Sequence, residues 1–269
     1  ARKRSPLYED GIDTLLADHV GKNFFVVPDL SPAHRADVYF VAVGTPLDPQ
    51  KRPDTAYIEA AAREIGAVLK HGDAVILRST VPIGTTRNVF TPILEKVSGL
   101  IAGEDFLVAF APERTVEGVA LRELRTLPQV IGGLNRASAN AAASVFNIMT
   151  DTVLLVDTLE EAEIVKLMNN TYRDVSFAFA NELALVCRSF GIDTNKVIHA
   201  ANTGYLRSNI PAPSPGVGGY CLEKDPYIFM ASASARGYTP LLFRGAREVN
   251  ERMLRAVAED IVRFLAKRR

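Results

Sequence analysis

Short, continuously apolar runs alternate with longer segments of helical period through residues 1–157, and this rhythm limits the folds open to the chain. The clearest run, Val38-Tyr39-Phe40-Val41-Ala42-Val43, is apolar throughout and stops at Gly44-Thr45-Pro46. A strand with no polar face must be covered on both sides, which is the situation of a parallel strand between layers of helices. The pattern then repeats. A helix is expected over Thr55–Leu69, a strand over Ala74–Leu77, a helix over Thr85–Val97 and a strand over Phe106–Phe110. Gln129–Ile131 and Val153–Val156 read as further strands, with a helix over Ala137–Met149 between them. Ahead of all these, Ile12, Leu15 and Leu16 suggest a short helix and Phe24–Val27 a short strand. Strands alternating with helices give a parallel or mostly parallel sheet.

From Thr158 the period changes. Thr158 and Glu161 form a capping box, and Val165, Met168, Tyr172, Val175, Phe179, Leu183, Val186 and Phe190 follow the three-and-four spacing of a buried helical face. One long helix is therefore expected, running to Gly191, and a second over Leu241–Arg269 through Val249, Met253, Val257, Ile261 and Phe264. The fold class is α/β: a partial Rossmann-like, mostly parallel sheet over 1–157, followed by an α-helical middle domain over 158–269. Ligands of such sheets collect at the carboxyl ends of the strands, so Thr45-Pro46, Ser79-Thr80 and the Glu113–Glu117 loop should border one crevice. Helix capping and turn formation would equally account for Ser79 and Thr80.

Composition narrows the function. Lysine plus arginine equals aspartate plus glutamate at 31 each, so no global field recruits nucleic acid or an anionic membrane. Two cysteines make no disulfide framework and fit a reducing cytoplasm, and no metal is expected. No apolar run approaches the roughly twenty residues of a membrane span, and no signal peptide heads the sequence.

Against this background Gly216-Val217-Gly218-Gly219-Tyr220-Cys221-Leu222-Glu223-Lys224-Asp225-Pro226 stands out. Clustered glycines let backbone turn or approach a ligand closely, and they deliver Cys221 directly afterwards. If a helix opens there, Asp225 lies one turn from the sulfur, with Lys224 beside it. Cys187, inside the apolar helical run Leu183–Phe190, reads as packing. Lys166 and Asn170, four apart, project together beside the apolar stripe of the long helix, where a solvated surface is the ordinary alternative.

Six segments, in order, resemble the nucleotide-sugar 6-dehydrogenases, the family of UDP-glucose and UDP-N-acetylmannosamine dehydrogenases. They are Val43–Asp48, Ser79–Thr86, Ala111–Arg114, Lys166 with Asn170–Asp174, Phe179–Leu183, and the glycine-cysteine stretch ending at Asp225-Pro226. The resemblance implies NAD-dependent oxidation of the primary alcohol of a UDP-sugar to a carboxylate, in polysaccharide biosynthesis. It makes Cys221 the nucleophile, with Lys166 and Asn170 stabilising the oxyanion and Glu117 the general base. Asp225 and Thr80 would hold the hydrolytic water. It places Thr45, Pro46, Ser79, Thr80 and Lys224 at the cofactor. Glu113, Arg114, Lys166, Asn170, Gly218 and Gly219 fall at the substrate, and the same reading assigns Arg207 and Arg247 there, either of them reaching a neighbour's substrate in a homodimer built on the long helix.

The Pro112–Thr115 loop and Ala246–Asn250 look more like the N-acetylhexosamine branch than the UDP-glucose branch. The family's opening glycine turn and its C-terminal domain have no counterpart in these 269 residues, whether the chain is a fragment, an incompletely ordered chain or a natural remnant. Gly11 and Gly21 do not follow a buried strand, so the chain by itself is expected to lack saturable NAD binding and turnover, leaving an assembly module as the rival reading.

Overall fold

The computed structural model describes residues 4–6 and 8–266. The chain divides into two units, one formed by residues up to Pro46 with Asp54–Lys166, the other by Leu47–Pro53 with residues from Leu167 onward. The sequence had placed a boundary at 157/158, ahead of the long helix.

The first unit contains α1 (Ile12–His19), β1 (Val38–Val41), α2 (Ala56–Gly66) and β2 (Ala74–Leu77). A π-helical turn, Thr86–Phe90, then runs into α3 (Thr91–Ser98). β3 (Leu107–Phe110), α4 (Ala120–Thr126), β4 (Gln129–Gly133), α5 (Arg136–Phe146) and β5 (Val153–Val156) complete it. The five strands form one sheet in sequence order. β1, β2 and β3 are parallel, with Val41, Leu77 and Phe110 in register, whereas β4 runs antiparallel to β3 and parallel to β5. The loops after β1, β2 and β3 consequently leave the sheet side by side.

Alternation along the strands builds a core on each face. Tyr39, Val41, Val75, Leu77, Val108 and Phe110 pack on one side with residues of α2 and α3 and with Leu159 and Ala162. Ile76, Ala109 and Ile131 pack on the other with Ala142 and Phe146 of α5. Burying each large aliphatic or aromatic side chain contributes about 1.5–3 kcal/mol, so these two layers dominate the stability of the unit. Phe40 points to the second face at the end of the sheet and stays partly exposed, touching Phe146 edge to face with ring centroids 5.7 Å apart.

Phe24–Val27 is not a strand. Phe24 makes a single bridge with Val20, and all four side chains are exposed, because apolar β-branched composition does not create a strand without a neighbour to take its hydrogen bonds.

The second unit is helical. α6 (Leu159–Ser189) begins in the first unit and continues into the second, followed by α7 (Thr194–Asn202), α8 (Tyr220–Ser234) and α9 (Leu241–Ala266). The capping box forms as expected: Glu161 N–H donates to Thr158 Oγ1 at 3.1 Å, and Thr158 N–H donates to Glu161 Oε2 at 3.2 Å. Within one chain, however, the buried face of α6 is not the apolar stripe, of which Val165, Val175 and Leu183 are half-buried and Val165 packs on the first core. Met168, Tyr172, Phe179, Val186 and Phe190 are exposed, while Glu163, Leu167, Asn170, Thr171, Asp174 and Asn181 are buried. Both sets obey three-and-four spacing, so periodicity established the helix without fixing which face turns inward. α9 departs similarly, burying Arg247, Asn250 and Met253 while Ile261 and Phe264 remain exposed.

Close backbone packing yields a paired test. A Cβ on Gly132, in β4, would lie 2.2 Å from the Thr158 carbonyl oxygen and 3.1 Å from the Ala162 Cβ, whereas a Cβ on Gly245, inside α9, would meet nothing within 4 Å. Gly132→Ala should cost about 1–3 kcal/mol through overpacking, and Gly245→Ala should gain about 0.5–1 kcal/mol from helix propensity. Thermal melts of the two variants should therefore shift in opposite directions; equal shifts would contradict the packing around Gly132.

Candidate active-site residues

Within the first unit the expected residues sit where the three parallel strands end. Thr45 is 2% exposed and its Oγ1 has no hydrogen-bond partner among the described residues, while Ser79 Oγ reaches only the Val41 carbonyl, at 3.4 Å. Hydroxyls with spare hydrogen-bonding capacity at the ends of adjacent parallel strands fit the polar edge of a dinucleotide. Pro46 and Thr80 are half-buried in the same loops.

Glu113, just beyond β3, organises its surroundings. Its carboxylate pairs with Arg78 and accepts the N–H groups of Arg114 and Thr115 at 2.7 and 2.8 Å. Burial alone would push this carboxyl up, but the Arg78 guanidinium and the Thr115 amide outweigh it and hold it below the usual range. The Glu113 carbonyl accepts from Lys166 Nζ at 2.5 Å. An ammonium has three donors, so Lys166 keeps hydrogen-bonding capacity for a further acceptor. Arg114 donates to the Pro128 carbonyl and is thereby tied to the approach to β4. Glu117 is exposed in the loop ahead of α4.

In the second unit the glycine stretch opens a helix, as the sequence suggested. Gly216 and Gly219 have φ of 120° and 96°, values that favour glycine, and Gly219 is the N-cap of α8. Gly216 also lies against α9, where an added Cβ would come within 3.2 Å of the Asn250 carbonyl oxygen. Gly218 lies between them, and Cys221 is exposed in the first turn of α8. One turn on, Asp225 is fully buried and accepts from Asn170 Nδ2 at 2.6 Å and Lys224 Nζ at 3.0 Å. Asn170 retains a second N–H on the same nitrogen. Pro226 cannot donate to the Leu222 carbonyl, and Arg247 Nη1 takes that place at 3.4 Å.

Three further expected residues are engaged within the chain. Lys224, assigned to the cofactor, is 7% exposed, bonded to Asp225 and placed over the Tyr220 ring. Arg247, assigned to a neighbour's substrate, is 4% exposed because Asp174 holds its Nη1 at 2.7 Å. Arg207 is exposed after α7 and lies over the Tyr205 ring, 4.7 Å from its centroid. Cys187 is buried, in keeping with packing.

The sequence reading also missed groups that hold these residues in place. Asp174 accepts from Arg247 and from Asn250 Nδ2, and Asn250 Oδ1 accepts from Asn181 Nδ2 at 2.9 Å. Burial pushes the Asp174 carboxyl up despite the opposing guanidinium. On the Leu47–Pro53 segment, Lys51 donates to Tyr227 Oη at 2.6 Å and to Glu251 at 2.8 Å. The one available signal was polar residues at three-and-four spacing along α6, at 163, 170, 174 and 181.

Breaking a buried ion pair strands one charge, at a cost of about 3–5 kcal/mol, whereas replacing both partners with apolar groups can be nearly neutral. In urea unfolding, Arg247→Met should lose about that amount and the Asp174→Leu/Arg247→Met double variant should recover most of it. A single variant as stable as the parent would show that the pair does not organise these helices.

Residues 1–150 match the NAD binding domain of the UDP-glucose/GDP-mannose dehydrogenase family, and residues 160–252 match the central domain of the same family. The UDP-N-acetyl-D-mannosamine dehydrogenase of Pyrococcus horikoshii is 40% identical over 218 residues, which is 81% of this chain and 51% of that protein. An NDP-N-acetyl-D-galactosaminuronic acid dehydrogenase of Ralstonia solanacearum is 41% identical over 224 residues, 80% of this chain and 52% of that protein. The solved structure of the UDP-D-ManNAc dehydrogenase of Pyrococcus horikoshii superposes with a TM-score of 0.91 at 37% identity, covering 98% of this chain and 62% of that one. The chain thus spans about half the length of the curated relatives it matches. With one family's NAD-binding and central domains matched in succession, the chain belongs to the UDP-glucose/GDP-mannose dehydrogenase family.

Proposed function

We propose that this chain carries the NAD-binding and central portions of a cytoplasmic UDP-sugar 6-dehydrogenase, oxidising a primary alcohol to a carboxylate through a cysteine-bound intermediate. The observation that carries this reading is Cys221, exposed on the first turn of a helix whose next turn presents a buried carboxylate bonded to Asn170. NAD, when bound, accepts the electron pairs of both oxidations. Thr45, Pro46, Ser79, Thr80 and Lys224 would contact it, Lys224 keeping donors beyond the one it gives Asp225.

The protein's own groups account for the remaining chemistry. As a thiolate, Cys221 adds to the aldehyde carbon, and the carbonyl π pair moves to oxygen. Lys166 and Asn170, one turn apart on α6, supply a cation and an amide N–H to that oxyanion. Oxidation of the adduct gives a thioester, and water displaces the thiolate with Glu117 as general base and Asp225 and Thr80 orienting the water. Glu113 positions Lys166 through its carbonyl and, with Arg114, Gly218, Gly219 and Arg207, falls to the UDP-sugar.

An N-acetylhexosamine substrate is favoured, because the similar proteins named above act on UDP-N-acetyl-D-mannosamine or an NDP-N-acetyl sugar; UDP-glucose is the alternative. Calorimetric titration with NAD and each UDP-sugar separates both from an assembly module, which binds neither.

In a form extended to the length of the relatives, Cys221→Ser should accumulate a covalent sugar adduct visible in the intact mass, since an alkoxide leaves far less readily than a thiolate. Turnover at the parent rate would sink the cysteine mechanism. We also propose a homodimer in which a second copy covers Met168, Tyr172, Phe179, Val186 and Phe190. Light scattering at tens of micromolar should report a dimer for the parent and a monomer for Phe179→Glu; a monomeric parent would count against it.

A further inference from the structure

Three successive glutamate and lysine positions on α6, residues 160, 163 and 166, each hold a loop of the first unit. Glu160 pairs with Arg87 at 2.7 and 3.1 Å, and Lys166 holds the Glu113 carbonyl at 2.5 Å. Between them Glu163, 1% exposed, accepts from three donors on one turn: Gly84 N–H, Thr86 N–H at 2.9 Å and Thr86 Oγ1 at 2.6 Å. That turn follows the Ser79-Thr80 loop and opens the π-helical stretch, where backbone N–H groups lack intrahelical partners and favour a carboxylate. The loop's other end is fixed by Arg78, which is paired with Glu113. Ser79 is tied to the Val41 carbonyl of β1, but the turn at the far end of the loop is held by α6 directly, and Arg78 leads back to α6 through Glu113 and Lys166.

We propose that Glu163 is a positioning residue: it pins the Gly84–Thr86 turn to α6 and thereby fixes Thr80 relative to Lys166, three residues further along the helix. The inference rests on the roles proposed above for Thr80 and Lys166. A carboxyl group suits this place because both of its oxygens can accept, the hydroxyl oxygen keeping lone pairs even when protonated, whereas the amide nitrogen of glutamine accepts nothing and would turn an N–H toward one of the donors. The charged groups facing Glu163 are Glu160 on its own helix and Arg87 on the π-helical turn. Burial, reinforced by Glu160 and opposed by the Thr86 and Gly84 bonds, pushes its carboxyl up to about 7. Its pKa in the folded protein thus lies above its unfolded value of 4.5, so its stabilising contribution is present below the unfolded value and is lost as pH rises through about 7.

Amide hydrogen exchange on the 269-residue chain tests the pin. In Glu163→Gln, protection at Gly84 and Thr86 should fall about tenfold or more while amides of β2 and β3 keep theirs. Thr86→Val, which removes only the hydroxyl donor, should lower protection at the same amides by a smaller factor. The melting temperature of the parent should exceed that of Glu163→Gln by a larger margin at pH 5 than at pH 8. In the extended, active form, Glu163→Gln should lower kcat about tenfold with KM unchanged, the signature of displaced catalytic groups rather than lost binding. Unchanged protection at both amides, or protection lost uniformly across the sheet, overturns the proposal. An extended parent without turnover would refute the dehydrogenase reading, and the exchange result would still decide whether Glu163 holds the turn.

Discussion

Burial of charge and amide groups along one face of α6 is the constraint from which much else in this protein follows. Glu163, Asn170, Asp174 and Asn181 are all withdrawn from solvent, and each unpaired group of this kind would cost several kcal/mol. The fold meets the cost with partners brought from elsewhere in the sequence: Gly84 and Thr86 for Glu163, Asp225 for Asn170, Arg247 and Asn250 for Asp174. An all-apolar face would be cheaper to bury and would accept many packings. A polar face favours the arrangement that brings these partners to hand, even though Thr171 Oγ1 and Asp174 Oδ2 find none among the described residues, so α6 exchanges some stability for the placement of Lys166 and Asn170.

The fold was largely legible because strand and helix periods are local properties. Val38–Val41, Ala74–Leu77 and Val153–Val156 needed only their own apolar content to be recognised, and Thr158 with Glu161 marked the start of α6. Phe24–Val27 misled because a strand is defined by its neighbours, which composition does not report. The inward face of α6 misled for a different reason. Its apolar stripe and its polar stripe have the same period, and hydrophobicity does not pick the face buried within a single chain when the partners there are themselves charged.

Legibility of the candidate site divides along the same line. Cys221, Lys166 and Asn170 could be picked out because glycines and short spacings flag them locally. The partner of Arg247 could not, since Asp174 lies 73 residues away and neither residue is unusual in its own neighbourhood. Glu163 was hidden in a run of acidic residues, Glu160-Glu161-Ala162-Glu163, that resembles an ordinary solvated helix start. Its three donors lie almost 80 positions earlier, at a separation of 77 and 79 residues.

Pro226 gives the start of α8 an unusual mechanical character. A regular helix transmits disturbance from turn to turn because each carbonyl is bonded to the N–H four residues ahead. Here that rung is missing at Leu222, and the carbonyl is held from outside by Arg247. The turn bearing Cys221 therefore depends on α9 for one of its bonds, and because the same Arg247 nitrogen also holds Asp174, a change at that one guanidinium would reach both α8 and α6.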